Sequence, residues 1–300
     1  MYELIQLSEH DYYIQSTTNI GVIRVDENDV ILIDSGAHRG VGEHVLEVLN
    51  AQGWHLRAIF NTHFHADHVG ANRYLQEETG CRIYTSDAEL SFVRFPYLEN
   101  TTLFGSYPLH DLADQFLLAE ASDAELLTPD VLPKGMEIIP LPGHSFEMVG
   151  FRTADGNVFL GDALASEKSL RKYAVGFLWD VKGFLAALEG IRDSKAAHYI
   201  PAHGPVKEEI AELAQANIDN VLAIADTIAS LCEPPQIFEM LLKRVFEHYG
   251  IPISLLQYAL IGSTIRSYLS YLEELGRVTY FFEDNQMYWT NCVKEKEAEE

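Results

Sequence analysis

Four potential metal ligands, His63, His65, Asp67 and His68, stand within six positions of one another, directly after the apolar run 56–60. Imidazole nitrogen and carboxylate oxygen both ligate divalent zinc, iron or manganese. Such a cluster can form where a strand ends in a loop that turns its side chains toward one small volume. On an extended loop His63 and His65 share a side through the period of two. Asp67 and His68, where the next helix begins, can turn toward a second ion. A two-ion site makes hydroxide at neutral pH, so the motif points to a reaction type as well as to a fold.

Four ligands in one loop seldom complete a cluster, and the other strand ends supply candidates. His144 follows an apolar run at 136–141, Asp162 follows one at 158–160, and His203 follows one at 198–200. Strands packed side by side bring these ends to one edge. Gly143, Gly161 and Gly204 beside them let the backbone turn sharply and approach closely.

The rest of the chain reads as α/β. Strands at 3–7, 12–15, 20–25 and 30–33 precede a helix whose Val41, Val45, Val48 and Leu49 fall at near-helical spacing and which Gly53 ends. After the histidine loop come a helix at 71–78 and a strand at 81–85. Residues 92–133 lose clear periodicity and collect prolines and aromatics, which marks an insertion or lid. Strands return at 136–141, 149–153 and 158–160, then a helix at 181–192. From 209 the composition is nearly all helix, with periodic stretches at 210–231, 237–248 and around 265–275, followed by two short β-like runs at 278–282 and 287–289. The expected organisation is a catalytic unit over 1–208 and a mostly helical, winged-helix-like unit over 209–300.

Charge narrows the partners. With 21 Lys plus Arg against 45 Asp plus Glu, the formal net charge is −24, which makes nucleic acid an unlikely partner because such binding draws on positive phosphate contacts. Within 236–289, Lys243, Arg244, Arg266 and Arg277 face six acidic residues, so the winged-helix-like part is itself net −2. It suits dimerisation, giving a possible homodimer, or closure of a pocket. The start lacks a basic segment followed by an apolar one, and no run approaches the roughly 20 apolar residues that span a bilayer. The expectation is a cytoplasmic protein with no membrane partner. Cys81, Cys232 and Cys292 are widely spaced and fit a reducing compartment. The run 293–300 reads as a solvated tail.

Taken together, Thr62-His-Phe-His-Ala-Asp-His68, Gly-His144, Gly-Asp162 and Ala-His203-Gly, with Asp34-Ser-Gly36 ahead of them, resemble the motifs of the metallo-β-lactamase superfamily in their order, over about residues 15–205. The resemblance implies an αββα sandwich with two divalent ions, zinc by default and iron or manganese as options. It implies His63, His65 and His144 on one ion, Asp67, His68 and His203 on the other, and Asp162 bridging both together with a hydroxide. Asp34 would lie behind the metals and hold the histidine loop by hydrogen bonds. Asp67 has a second possible role, as the base that orients the hydroxide or shuttles its proton.

Departures from particular branches inform the activity. Class B β-lactamases lack the bridging aspartate, and flavodiiron proteins carry a glutamate where His65 stands. The pattern is nearest to glyoxalase II-like thioesterases and to the small hydrolase group with a C-terminal winged-helix-like extension, some of which are nucleases. The expected function is therefore a dinuclear hydrolase of a small thioester or carboxylic ester. A nuclease or phosphodiesterase, a mononuclear iron enzyme similar to the persulfide dioxygenases, and a non-catalytic regulatory protein are the rivals. Arg171, Lys172, Tyr173, Phe177 and Trp179 follow the Asp162 strand where such folds line a pocket, and are candidate contacts for a small-molecule substrate. Tyr97, Phe104, Tyr107 and Phe116 either pack the lid or touch substrate, and His110 is a further candidate there.

Overall fold

Alternation of side chains along the strands assigns each residue to one of two cores. In β4 (Asp29–Ile33), Val30 and Leu32 join one buried cluster while Ile31 and Ile33 join another. The computed structural model describes residues 2–112 and 118–292. Phe116 and the 293–300 tail lie outside them.

A seven-stranded sheet runs in the order β1 (Glu3–Gln6), β2 (Asp11–Gln15), β3 (Ile20–Arg24), β4, β5 (His55–Phe60), β6 (Arg82–Thr85) and β7 (Ala124–Leu126). Its first four strands are antiparallel, and from β4 onward each pairs parallel to the next. Helices α1 (Arg39–Gln52) and α3 (Asn72–Thr79) cover the outer face, and α2 (Ala66–Val69) is a single turn in the histidine loop. Gly53 ends α1 in the left-handed region at φ 73°.

A second sheet has the order β11 (Tyr199–Pro201), β10 (Val158–Gly161), β9 (Val149–Arg152) and β8 (Glu137–Pro140). Tyr13, Ile33 and Phe60 of the first sheet meet Phe151, Phe159 and Ile200 of the second in the core between the sheets. Helix α7 (Val181–Arg192) and the 21-residue α8 (Ala211–Leu231) pack on the second sheet's outer side. The architecture is an α/β sandwich with helices on both faces. Because β8 is antiparallel to β9, and β9 to β10, β8 runs the same way as β10 and β11. The ends of β8, β10 and β11 therefore share one edge.

The segment read as an insertion divides into parts. Helix α4 (Asp87–Arg94) reaches into it, α5 (Tyr97–Phe104) follows, and β7 leaves it to pair with β6 at the sheet's edge. The strand went unread because it is only three residues long. Helix α6 (Glu167–Lys172) lies between β10 and α7.

Beyond Pro205 the chain is mostly helical, with α9 (Phe238–Tyr249) and α10 (Leu255–Glu274) after α8. Helix α10 begins ten residues before the periodic stretch from Ile265, capped by Ser254, whose hydroxyl accepts from the Gln257 N–H. The hairpin β13 (Val278–Glu283) and β14 (Gln286–Asn291) gains a short third strand, β12 (Gln236–Ile237). Among the described residues no helix is long and apolar enough to cross a membrane.

Candidate metal centre

Every predicted ligand lies in a segment that follows a strand. His63, His65, Asp67 and His68 follow β5; His144 follows β8; Asp162 follows β10; His203 follows β11. Glycine is required at two of these turns. Gly143 holds φ 117°, and a Cβ there would meet the Phe184 backbone nitrogen at 2.2 Å. Gly161 holds φ 52° and lies against Thr62, so a side chain would push on the histidine loop itself.

Hydrogen bonds orient the imidazoles. His68 Nδ1 lies 2.7 Å from Asp34 Oδ2, His203 Nδ1 is 2.8 Å from the Thr17 carbonyl, and His144 Nδ1 is 3.2 Å from the Phe177 carbonyl. Thr62 Oγ1 donates to Asp34 Oδ2 at 2.8 Å, which leaves it free to accept from His63 Nδ1 at 3.0 Å. Each of these four rings thus anchors Nδ1 on the protein and turns Nε2 inward, while His65 presents Nδ1.

Inside, the ligand atoms crowd into three overlapping groups, each able to hold an ion: His63, His65 and His144; His63, His68 and Asp162; Asp67, His68 and His203. His65 Nδ1 lies 3.0 Å from both His63 Nε2 and His144 Nε2. With their Nδ1 protons directed outward, those two Nε2 atoms bring lone pairs to the same point. One proton could serve only one of them, whereas a cation accommodates all three. The spacing is close to the roughly 3.3 Å that tetrahedral zinc with bonds of about 2.0–2.1 Å would set. Asp162 Oδ1 and His68 Nε2 are 3.3 Å apart, yet both are buried without a hydrogen-bond partner. Orphaned donor and acceptor atoms of this kind at the centre of a ligand set fit a metal ion.

The charge balance separates the cluster into halves. Burial, together with the neighbouring imidazoles, pushes His63 well down and His65 to about 3, and burial also lowers His144. These rings present lone pairs. In the other half, burial opposes charge on Asp67 and Asp162, but His68 and His203 outweigh it and keep both carboxyls below the usual carboxylate range. Asp162 in turn lifts His203 to about 12; on His68 burial pulls down, and Asp67, Asp162 and Asp34 overcome it. The two imidazoles carry the positive charge that the carboxylates demand, which is the electrostatic place of a divalent cation.

Asp34 is buried and accepts from the Thr62 backbone and side chain, both at 2.8 Å, as well as facing His68. Its backbone sits in the left-handed region at φ 61°, a strained place for a non-glycine residue that is common at functional sites.

A narrow crevice opens beside His65, lined among others by Phe64, Glu99, Leu103, Phe177, Trp179 and Ser263. At about 10 Å³ it has room for little more than one water. Helix α5 supplies one wall and α10 another. Of the five candidate substrate contacts, Phe177 and Trp179 line this crevice, whereas Arg171, Lys172 and Tyr173 are exposed at the end of α6 and line none of it. Lys172 Nζ instead donates to the neighbouring Tyr173 hydroxyl at 2.7 Å. His110 is fully exposed.

Two buried carboxyls at the site escaped the sequence reading. Glu99, on α5, faces the crevice and accepts from the Ala66 N–H; burial pushes it well above its usual range. Glu89, on α4, lies behind the ligand loops. A glutamate in a helix reads as a solvated face, and nothing in the local pattern marks either one.

The family model described as the metallo-beta-lactamase superfamily matches residues 14–203. Among curated proteins, the chain is 31% identical to hydroxyacylglutathione hydrolase of Methylococcus capsulatus over 40% of its own length, and 32% identical to hydroxyacylglutathione hydrolase GloC of Haemophilus influenzae over 49%. Those stretches span 38% and 66% of the relatives' own lengths. Among solved structures, a metallo-beta-lactamase family protein from Thermus thermophilus superposes with a TM-score of 0.72 at 18% identity, covering 95% of this chain and 100% of that one. A beta-lactamase domain protein from Burkholderia ambifaria gives 0.71 at 15%, covering 97% and 94%. The chain belongs to the metallo-β-lactamase superfamily, and its clustered His and Asp side chains give it the capacity to bind metal.

Proposed function

We propose that the chain hydrolyses a small thioester or carboxylic ester using two divalent ions, zinc in preference to iron or manganese. His63, His65 and His144 would hold one, Asp67, His68 and His203 the other, with Asp162 shared. The observation that carries this reading is the two-sided aim of Asp162. Its Oδ2 lies 3.4 Å from His144 Nε2, while Oδ1 lies 3.3 Å from His68 Nε2 and 3.4 Å from His203 Nε2. Bound ions would supply a hydroxide from water at neutral pH and polarise the acyl carbonyl.

The chain's own residues do the rest. Asp67 Oδ2, steadied by the Thr18 hydroxyl at 3.2 Å and 3.1 Å from His203 Nε2, is positioned to take a proton from the attacking water. Phe64, Phe146, Phe177, Trp179 and Leu103 give the crevice its apolar walls beside Glu99, and among the described residues no lysine or arginine lines it. Such walls suit an uncharged group, although a crevice of about 10 Å³ would have to widen to admit an acyl chain. Relatives named hydroxyacylglutathione hydrolases support a thioester. The net charge of −24 supports a small molecule over nucleic acid.

Purified protein replete with zinc, iron or manganese should turn over model acyl thioesters or carboxylic esters. Asp67→Ala should lower kcat by about 10²-fold or more. Turnover of phosphodiesters alone, oxygen uptake with a single bound iron, or an Asp67→Ala variant of full activity and full metal content would each overturn the proposal.

A further inference from the structure

Glu89 is buried, and its carboxylate is shared between two loops. Oε2 accepts from the Phe64 backbone N–H at 3.1 Å, between His63 and His65. Oε1 accepts from the Ser145 hydroxyl at 2.7 Å and from the Glu147 N–H at 2.8 Å, directly after His144. One turn along α4, on the same face, Phe92 stacks on Phe64 with ring centroids 4.1 Å apart and meets Phe146 at 5.0 Å. A carboxylate and an aromatic ring on one helix thus each touch both loops. The helix is itself fastened to the second loop, through Ser86 Oγ to the Glu147 carbonyl at 2.8 Å and the Ala88 N–H to Glu147 Oε2 at 2.9 Å.

These two loops supply all of one ligand group, His63, His65 and His144; the first also continues into Asp67 and His68, whereas His203 follows a different strand. We infer that Glu89 is a positioning residue for the three-histidine metal site: it fixes the separation of the two loops and so sets that site's affinity for zinc, whereas Asp34, Thr18 and the Thr17 carbonyl hold His68, Asp67 and His203. The inference rests on the two-ion reading above.

Glu89→Gln tests it with little change of shape. An amide has one oxygen, so whichever way it is flipped, an NH₂ group faces either the Phe64 or the Glu147 N–H, and one loop is released. Zinc titration of the stripped protein against a chromophoric chelator should show one of two binding steps weakened about 10- to 100-fold and the other unchanged. The weakened step should be the one that His65→Ala abolishes. Ser145→Ala, which removes a single bond, should weaken the same step less, and it keeps the test in force if Glu89→Gln does not fold. A merely structural role would lower the unfolding temperature of both variants and shift both steps or neither. Either result overturns the inference, as does wild-type zinc affinity in both variants. A protein that binds two zincs with the expected pattern but hydrolyses no ester would sink the proposed activity and leave this inference standing. A protein with a single zinc step unmoved by Glu89→Gln would sink the inference.

Discussion

Asp34 and Glu89 do comparable work at the residue scale, and only one of them is visible in the sequence. Asp34 follows a strand and precedes Ser35 and Gly36, a pattern that sets it at a turn, and the structure finds it under Thr62 and His68. Glu89 has no such context, because its partners are 25 and more positions away. Its environment makes a distinct prediction for pH. Burial pushes the carboxyl up from about 4.5 to about 7, against the pull of the three hydrogen bonds. The folded protein therefore binds the Glu89 proton more tightly than the unfolded chain does. The stability tied to that proton is fully present below about pH 4.5 and is lost as pH rises through about 7. Relative to Glu89→Gln, which cannot titrate, the stripped wild-type protein should lose roughly 3 kcal/mol of stability across that window. Denaturant melts of both proteins at several pH values check it, and a difference that stays flat with pH would refute the assignment.

Strand and helix patterns were legible wherever the period was long enough to see. Helix α7 begins and ends where its spacing placed it, at Val181 and Arg192, and the candidate ligands all lie in segments that follow strands. What the sequence hid was contact between elements. Helices α5 and α10 are more than 150 residues apart, yet Leu103 and Leu112 pack with Ala259, and Leu256, Leu260 and Phe177 close around them. The aromatics read as lid candidates separate accordingly: Phe104 packs in this cluster, whereas Tyr107 is 85% exposed. The cluster roofs the crevice beside His65, so the crevice is narrow because α5 is pinned to α10. Leu103→Ala removes a buried side chain that both joins this cluster and lines the crevice. The cavity should cost about 2–5 kcal/mol of stability. It should also shift selectivity, raising kcat/KM for longer acyl chains relative to acetyl while zinc content stays at the wild-type level. Unchanged chain-length preference would place the acyl group elsewhere.

At the scale of the whole molecule, the helical region behaves as part of the site's support. The two structural relatives from Thermus and Burkholderia match over 95% and 97% of this chain, so the likeness of fold extends through the helical region. One buried cluster runs without a break from Leu160 and Leu164 beside the Asp162 strand, through Phe184 and Leu188 of α7, to Ile218 of α8, Leu241 of α9 and Tyr268 of α10. Two polar clamps reach back from it to the loop between Asp162 and Trp179. The Asn217 side chain accepts from the Ala165 N–H at 2.8 Å and donates to its carbonyl at 2.9 Å, and Thr264 Oγ1 accepts from the Leu178 N–H at 3.3 Å. Removing residues 209–300 would expose the outer face of α7 and release that loop, against a net stability of only about 5–15 kcal/mol for an ordinary domain. The truncated chain should therefore fail to fold, and the intact chain should melt in one calorimetric transition whose measured and van't Hoff enthalpies agree. Two separate transitions, or a 1–208 fragment that melts cooperatively near the temperature of the full chain, would show instead that the helical region is a detachable unit.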